Sequence, residues 1–315
     1  MLTYAQRRAF ATDGYLVLQD VVPQEIRAQV QDEYAVLLDG LCDGWVAEGR
    51  LPPDVPQQDF WRKLLTAYEA GCDWFQPMDI SLPGDEISPD TPMHFGPAIF
   101  DMVTCSAVLD VVEALIGPEI TSNPIQHVRI KPPRPALQSD EVRAHVTQTD
   151  WHQDRGVGLA EADHTDMVTV WIAMTAATEE NGCLQVMPSA AAAMLPHCPK
   201  TQTAIADGFI DPAQALPLPV RAGGVVLLHP LTPHASLPNG TDAFRWSFDL
   251  RYNVTGQPTG RAHFPAFVAR SAAQPETALT DWRRWRQMWE DARAELAGRA
   301  HIPIHRWQSD APFCA

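Results

Sequence analysis

Apolar positions change their spacing near residue 118. Before it, Ile26, Val30, Tyr34, Leu37, Leu38 and Leu41 recur at three- and four-residue intervals, which predicts one long helix from Pro23 to about Ala47. Similar spacing predicts helices over Thr3 to Ala11, with Thr3 as the cap, over Phe60 to Ala70, and over Phe100 to Leu115, ending at Gly117. Tyr15 to Leu18 reads as a short strand. The Pro-rich stretch Leu51 to Asp59 reads as a loop, and so does Asp79 to Gly96, which holds Pro83, Gly84, Pro89 and Pro92.

From Glu119 the pattern becomes that of strands, expected at 119–131, 149–154, 166–174, 183–188, 216–220, 224–229, 232–237 and 244–253, with Gly223-Gly224 as a turn. Alternation is clearest in the last. Arg245, Ser247, Asp249 and Arg251 share one face, and Trp246, Phe248 and Leu250 share the other. A polar face turned into a barrel and an apolar face packed under helices predict a mainly β fold with flanking helices (α+β). The expected architecture is a double-stranded β-helix, a jelly-roll or cupin-like barrel with a helical N-terminal part. The expected organisation is a single domain over 1–315: helical over 1–118, barrel over 119–255, and a C-terminal loop and helix over 256–315, the helix at Glu276 to Gly298. Loops 48–59, 79–99 and 189–213 are the expected lids.

A net charge of −16 argues against a nucleic-acid or anionic-membrane partner. No run approaches the ~18 apolar residues of a membrane span, and the N-terminus lacks a signal pattern. The expectation is a cytoplasmic protein, monomeric or homo-oligomeric. The six cysteines are scattered with no CxxC pair, and are expected to be reduced and mostly structural.

The chemistry gathers at Thr149-Asp-Trp-His-Gln-Asp-Arg155. In an extended segment His152 and Asp154, two apart, point to the same side. A second histidine far along the chain would complete a 2-His-1-carboxylate triad, which leaves positions open on a non-haem Fe(II) for a cosubstrate and O2. His234, 82 residues on, is the candidate, with His229 as its rival. Arg245 follows His234 by 11 residues. Its planar guanidinium suits the far carboxylate of a chelating dicarboxylate such as 2-oxoglutarate. Ser247, next along that face, is placed to add a hydrogen bond to the same carboxylate. Arg251 lies too far along the strand to join them and reads as structural, paired with Asp249. A second His-X-Asp, His164-Thr-Asp166, satisfies the same spacing, but it stands where a polar loop meets an apolar strand and reads as solvated.

Several blocks resemble the phytanoyl-CoA dioxygenase family. Trp151-His-Gln-Asp154 looks like its first metal motif. Gln126-His-Val-Arg-Ile-Lys-Pro-Pro133, Val170-Trp-Ile-Ala-Met174 and Asn181-Gly-Cys-Leu-Gln-Val-Met-Pro188 look like neighbouring strands. Phe10-Ala-Thr-Asp-Gly-Tyr-Leu-Val-Leu18 is similar to its usual start. The resemblance implies iron on His152, Asp154 and His234, and 2-oxoglutarate on Arg245. It places Gln153, Trp171, Lys131 and Ser236 at or near the cosubstrate site. His127 stands where the phytanoyl-CoA enzymes tend to carry Met. It joins these candidates, with a structural histidine as the other reading, as for His145. The implied reaction oxidises an aliphatic C–H of a small molecule, such as a secondary metabolite, amino acid or acyl thioester, with release of succinate and CO2. Aspartate at 154 predicts hydroxylation, since halogenating relatives lack that carboxylate. The alternatives are a cosubstrate-free cupin-type isomerase or dioxygenase, and a non-catalytic metal-binding barrel.

Overall fold

The computed structural model describes residues 2–134, 149–188, 193–200, 202–299 and 301–314. The helices are α1 (Tyr4–Asp13), α2 (Gln24–Ala47), α3 (Phe60–Glu69), α4 (Phe75–Met78), α5 (Pro97–Val103), α6 (Ser106–Ile116) and α7 (Trp282–Leu296). Thr3 caps α1 as expected, its side chain accepting from Gln6 N. The helix expected over 100–115 is two. Thr104 donates its hydroxyl to Phe100 O at 2.8 Å, and α5 ends there. A side chain that bonds its own helix backbone offers the chain an alternative to continuing. The last helix starts at Trp282, not near 276, because Asp281 accepts from Arg283 N as the cap.

The strands are β1 (Tyr15–Leu18), β2 (Glu119–Lys131), β3 (Met167–Ala173), β4 (Leu184–Val186), β5 (His197–Pro199), β6 (Thr203–Ile205), β7 (Leu216–Leu218), β8 (Val225–Leu228), β9 (His234–Ser236), β10 (Arg245–Val254) and β11 (Phe267–Ser271). A six-stranded sheet runs β1-β8-β3-β10-β2-β11 and a three-stranded one runs β7-β4-β9. Together they form the double-stranded β-helix. Trp171, Ala173, Leu184, Val186, Val226 and Leu228 pack between them.

The two faces of β10 separate as the alternation required. Trp246, Phe248, Leu250 and Tyr252 join the core shared with the helices. Trp246 lies 5.3 Å from the Tyr34 ring of α2 and stacks on Phe60 of α3. The Gly223-Gly224 turn is held by geometry only glycine meets without strain. Gly223 has φ of 84°, and a Cβ on Gly224 would lie 2.4 Å from Val220.

Three expectations need correction. Residues 149–154 form no strand: they pair with β9 only at the bridge His152↔His234, with Ser236 N donating to Thr149 O at 3.1 Å. The chain turns away directly after, where Gly156 N donates to Gln153 O at 2.8 Å. Strands β5, β6 and β11 were not expected. The first two form a hairpin inside the stretch taken as a loop. The cysteines are not all reduced: Cys198 and Cys314 form a disulfide, while Cys42, Cys72, Cys105 and Cys183 are free and buried. Among the described residues no helix is long and apolar enough to cross a membrane.

Candidate metal and cosubstrate site

The bridge that replaces the expected strand brings the ligands together. His152 N donates to His234 O, and His234 N to His152 O, each at 2.9 Å. The two imidazoles then lie side by side, 4.1 Å between ring centres. Each is fixed through Nδ1, which donates to a carbonyl two residues upstream. His152 bonds Asp150 O at 2.8 Å and His234 bonds Thr232 O at 3.0 Å. That selects the tautomer with a free Nε2 lone pair. The two Nε2 atoms stand 3.6 and 3.8 Å from Asp154 Oδ1. Two imidazole nitrogens and a carboxylate oxygen converging this closely fit a divalent iron. Among the described residues no other group of three His, Cys, Asp or Glu side chains does so. The competing residues stand elsewhere. His164 and Asp166 are exposed, and Asp166 accepts from Gln257 Nε2. His229 packs its ring against Phe10 and accepts from Leu231 N through Nδ1.

Asp154 is fully buried. Burial alone would raise its pKa, but Arg251, His234 and His152 outweigh it and hold the carboxyl well below the usual range. His234 is pushed down to about 4 by burial and then by His152, so it stays neutral and available to metal. Arg251 is the residue that sequence reasoning undervalued. It keeps the expected neighbour Asp249 at 3.8 Å, but its Nη2 also donates to Asp154 Oδ1 and its Nη1 to Ile125 O at 3.0 Å. Thr169, directly opposite Arg251 in the β10–β3 register, donates its hydroxyl to Asp154 Oδ2. Arg251's place on the inner face of β10 was the available signal. Thr169 had none, since it reads as an ordinary strand threonine.

Arg245 is 1% exposed on β10, opposite Lys131 of β2. Its Nη1 donates to Ser247 Oγ at 2.5 Å, its Nε has no partner, and its guanidinium lies 5.2 Å from the Trp171 ring centre. Lys131 Nζ donates to Ser236 Oγ at 2.8 Å and to Leu237 O. Burial, then the charge of Arg129, pushes Arg245 down to about 9. Burial, Arg245 and Arg129 push Lys131 well below its ordinary value. Among the described residues neither cation has a carboxylate in ion-pair reach, and buried charge held this way is costly until an anion arrives.

Gln153 and His127 are each held by hydrogen bonds of their own. The Gln153 amide donates to Ala193 O at 3.1 Å and Leu231 O at 2.6 Å, and accepts from Leu195 N at 2.7 Å. It fastens the loop over the metal segment. His127 Nδ1 bonds Asp79 Oδ2 at 2.8 Å, and the side chain lines the cavity beside the metal site. His145 lies outside the described residues.

Comparison with known proteins gives a consistent picture. The family model for phytanoyl-CoA dioxygenase matches residues 10–247. The chain is 34% identical over 110 residues to a methylphosphonate hydroxylase of Gimesia maris, a match spanning 35% of this chain and 42% of that protein. It is 25% identical over 270 residues to a probable phytanoyl-CoA dioxygenase of Caenorhabditis elegans, spanning 80% of this chain and 75% of that one. Among solved structures it is similar to the apo form of the non-heme monooxygenase ThoJ, with TM-score 0.57 and 19% identity over 92% of this chain and 96% of that one. EvdO2 from Micromonospora carbonacea var. aurantiaca, complexed with 2-oxoglutarate, matches with TM-score 0.52 and 20% identity over 81% and 92%. At these identities the structures speak for the fold.

Proposed function

The chain belongs to the phytanoyl-CoA dioxygenase family of Fe(II)- and 2-oxoglutarate-dependent oxygenases, and from that premise we propose which residues serve the reaction and what it acts on. His152, Asp154 and His234 would hold the iron, as a facial set of two imidazoles and a carboxylate. When bound, the iron couples O2 and 2-oxoglutarate to oxidation of an aliphatic C–H, with release of succinate and CO2. Arg245 takes the far carboxylate of 2-oxoglutarate, with Ser247 steadying its guanidinium, Trp171 walling it, and Lys131 on Ser236 adding a second cation. Arg251 and Thr169 keep the Asp154 carboxylate in one orientation. Retention of Asp154 favours hydroxylation of a small molecule.

The observation that carries this assignment is the pair Arg245 and Lys131, buried without an anion. A cosubstrate-free reaction would leave them without a dicarboxylate to hold in the barrel. The expected outcome for Arg245→Ala is a 2-oxoglutarate KM raised by the equivalent of roughly 2–5 kcal/mol, with iron retained. An unchanged KM removes Arg245 from the site. We place the reaction in the cytoplasm. The Cys198–Cys314 bond is of a kind rare in that reducing compartment, so the state of these cysteines in freshly lysed cells tests the placement.

A further inference from the structure

A cavity of about 250 Å³ opens beside the metal site, and its charges narrow the class of substrate. Its walls include His152 and Arg251 from the metal site, together with Arg129, Lys200, Arg261 and His305. No Asp or Glu is among the described residues that line it, although the chain carries a net charge of −16.

Three of these four Arg and Lys side chains already have a carboxylate partner. Arg251 bonds Asp154 and Arg129 lies 4.0 Å from Asp249, while Lys200 pairs at the exposed rim with Asp207 at 2.7 Å. Arg261 differs. Its Nη2 donates to Val157 O at 2.9 Å and its Nε is buried with no partner. Among the described residues no carboxylate is in ion-pair reach of it. Burial, then the charge of Arg251, pushes its guanidinium down to about 9. His305 on the same wall has a buried Nδ1 that is likewise unpartnered; burial, then the charges of Arg261 and His301, push it below its ordinary value, with Asp85 acting weakly the other way. Arg261 and His305 are both partly exposed rather than sealed, yet each turns a buried, unpartnered nitrogen inward, and no carboxylate stands in ion-pair reach of Arg261 among the described residues. Ile125, Phe264 and Ile304 make the adjoining wall apolar.

We propose that Arg261 and His305 form an oxyanion-binding subsite for the substrate, which is a small organic acid whose aliphatic part lies against Ile125, Phe264 and Ile304. The acid group, carboxylate or phosphonate, meets the guanidinium and the imidazole, and the chain beyond it reaches toward the metal. A guanidinium fork suits either planar or tetrahedral oxyanions. This rests on the oxygenase reading above, in that it takes the cavity beside His152 as the substrate's.

The test is calorimetric titration of the anaerobic protein loaded with Fe(II) and saturating 2-oxoglutarate. The probes are butyrate, propylphosphonate and the neutral butyramide. At least one acid is expected to bind more tightly than the amide without displacing 2-oxoglutarate. Arg261→Gln is expected to weaken acid binding by about thirtyfold or more, the usual consequence of truncating one partner of a buried charge pair, with amide binding unchanged. Arg261→Lys is expected to recover part of the loss, which a purely structural role for the arginine would not give. His305→Gln provides a second variant should Arg261→Gln fail to fold, with a smaller loss expected. The tighter of the two acids identifies the anion. Acids that bind no better than the amide, that bind Arg261→Gln as well as the parent, or that bind only by displacing 2-oxoglutarate overturn the proposal. Failure of the unmodified protein to take up 2-oxoglutarate counts against the oxygenase reading. Failure of the acids to bind protein already holding it counts against the subsite.

Discussion

At the scale of single residues, the site turns on how one carboxylate is held. Asp154 receives Arg251 on one oxygen and Thr169 on the other. Its direction is therefore set before any metal arrives. Thr169→Val keeps the side-chain shape and removes the donor. The expected result is an iron affinity lower by roughly 10–100-fold, as is usual when a partner of a metal ligand is lost, with the far-UV circular dichroism unaltered. Chelator competition measures it, and an unchanged affinity would leave Thr169 a packing residue. The sequence shows part of this arrangement and hides part. His152, Asp154 and His234 are legible by residue type together with the blocks around them, since spacing alone fits His164 and Asp166 as well. Thr169 and the Asp79 partner of His127 are ordinary residues made particular by what lies across a strand pair or 48 positions away. Nothing local in the chain encodes those neighbours.

At the scale of elements, periodicity reports burial well and pairing poorly. The alternation of β10 and the apolar stripe of α2 both describe faces that the structure buries. The stretch 149–154, expected as a strand from the i, i+2 placing of His152 and Asp154, makes a single bridge and then turns at Gly156. A Cβ on Gly156 would lie 2.4 Å from the His197 ring, so this turn is packed as tightly as a strand without being one. The segment 301–314 gave no periodic signal at all. It is nonetheless fastened across the metal loop. Arg306 donates to Gly158 O and Arg155 O at 3.1 and 3.0 Å, Trp307 Nε1 donates to Gly156 O at 2.6 Å, and Cys314 bonds Cys198. Denatured, unreduced protein is expected to show four free thiols, rising to six after reduction. Reduction should lower the unfolding midpoint, since a cross-link across 116 residues typically contributes about 2–4 kcal/mol. Six free thiols before reduction would mean the bond does not form in solution.

At the scale of the whole molecule, two histidines tie stability to pH. His197 accepts from Gln153 N through Nε2 at 3.0 Å and donates through Nδ1 to Leu195 O at 2.7 Å, so its neutral form is built into the fold. Burial pushes both His197 and His234 down to about 4. An unfolded histidine takes up its proton near 6.5, while the folded one resists until much lower pH. Their contribution is therefore fully present above 6.5 and is lost as pH falls toward 4, by up to about 1.4 kcal/mol per pH unit for each. Metal-free protein should melt at progressively lower temperature between pH 6.5 and 4.5, and a midpoint flat across that range would contradict the assignment. The cavity has a consequence of a different kind. The iron ligands stand at a bridge between paired segments, and Arg245 and Arg251 on β10, whereas one part of the cavity wall, with Ser81, Lys200, Arg261 and His305, comes from connecting stretches outside the strands. Descent can therefore act on the two halves at different rates. Changes confined to those stretches would alter what the cavity accepts while leaving the metal ligands and the β10 arginines where they are.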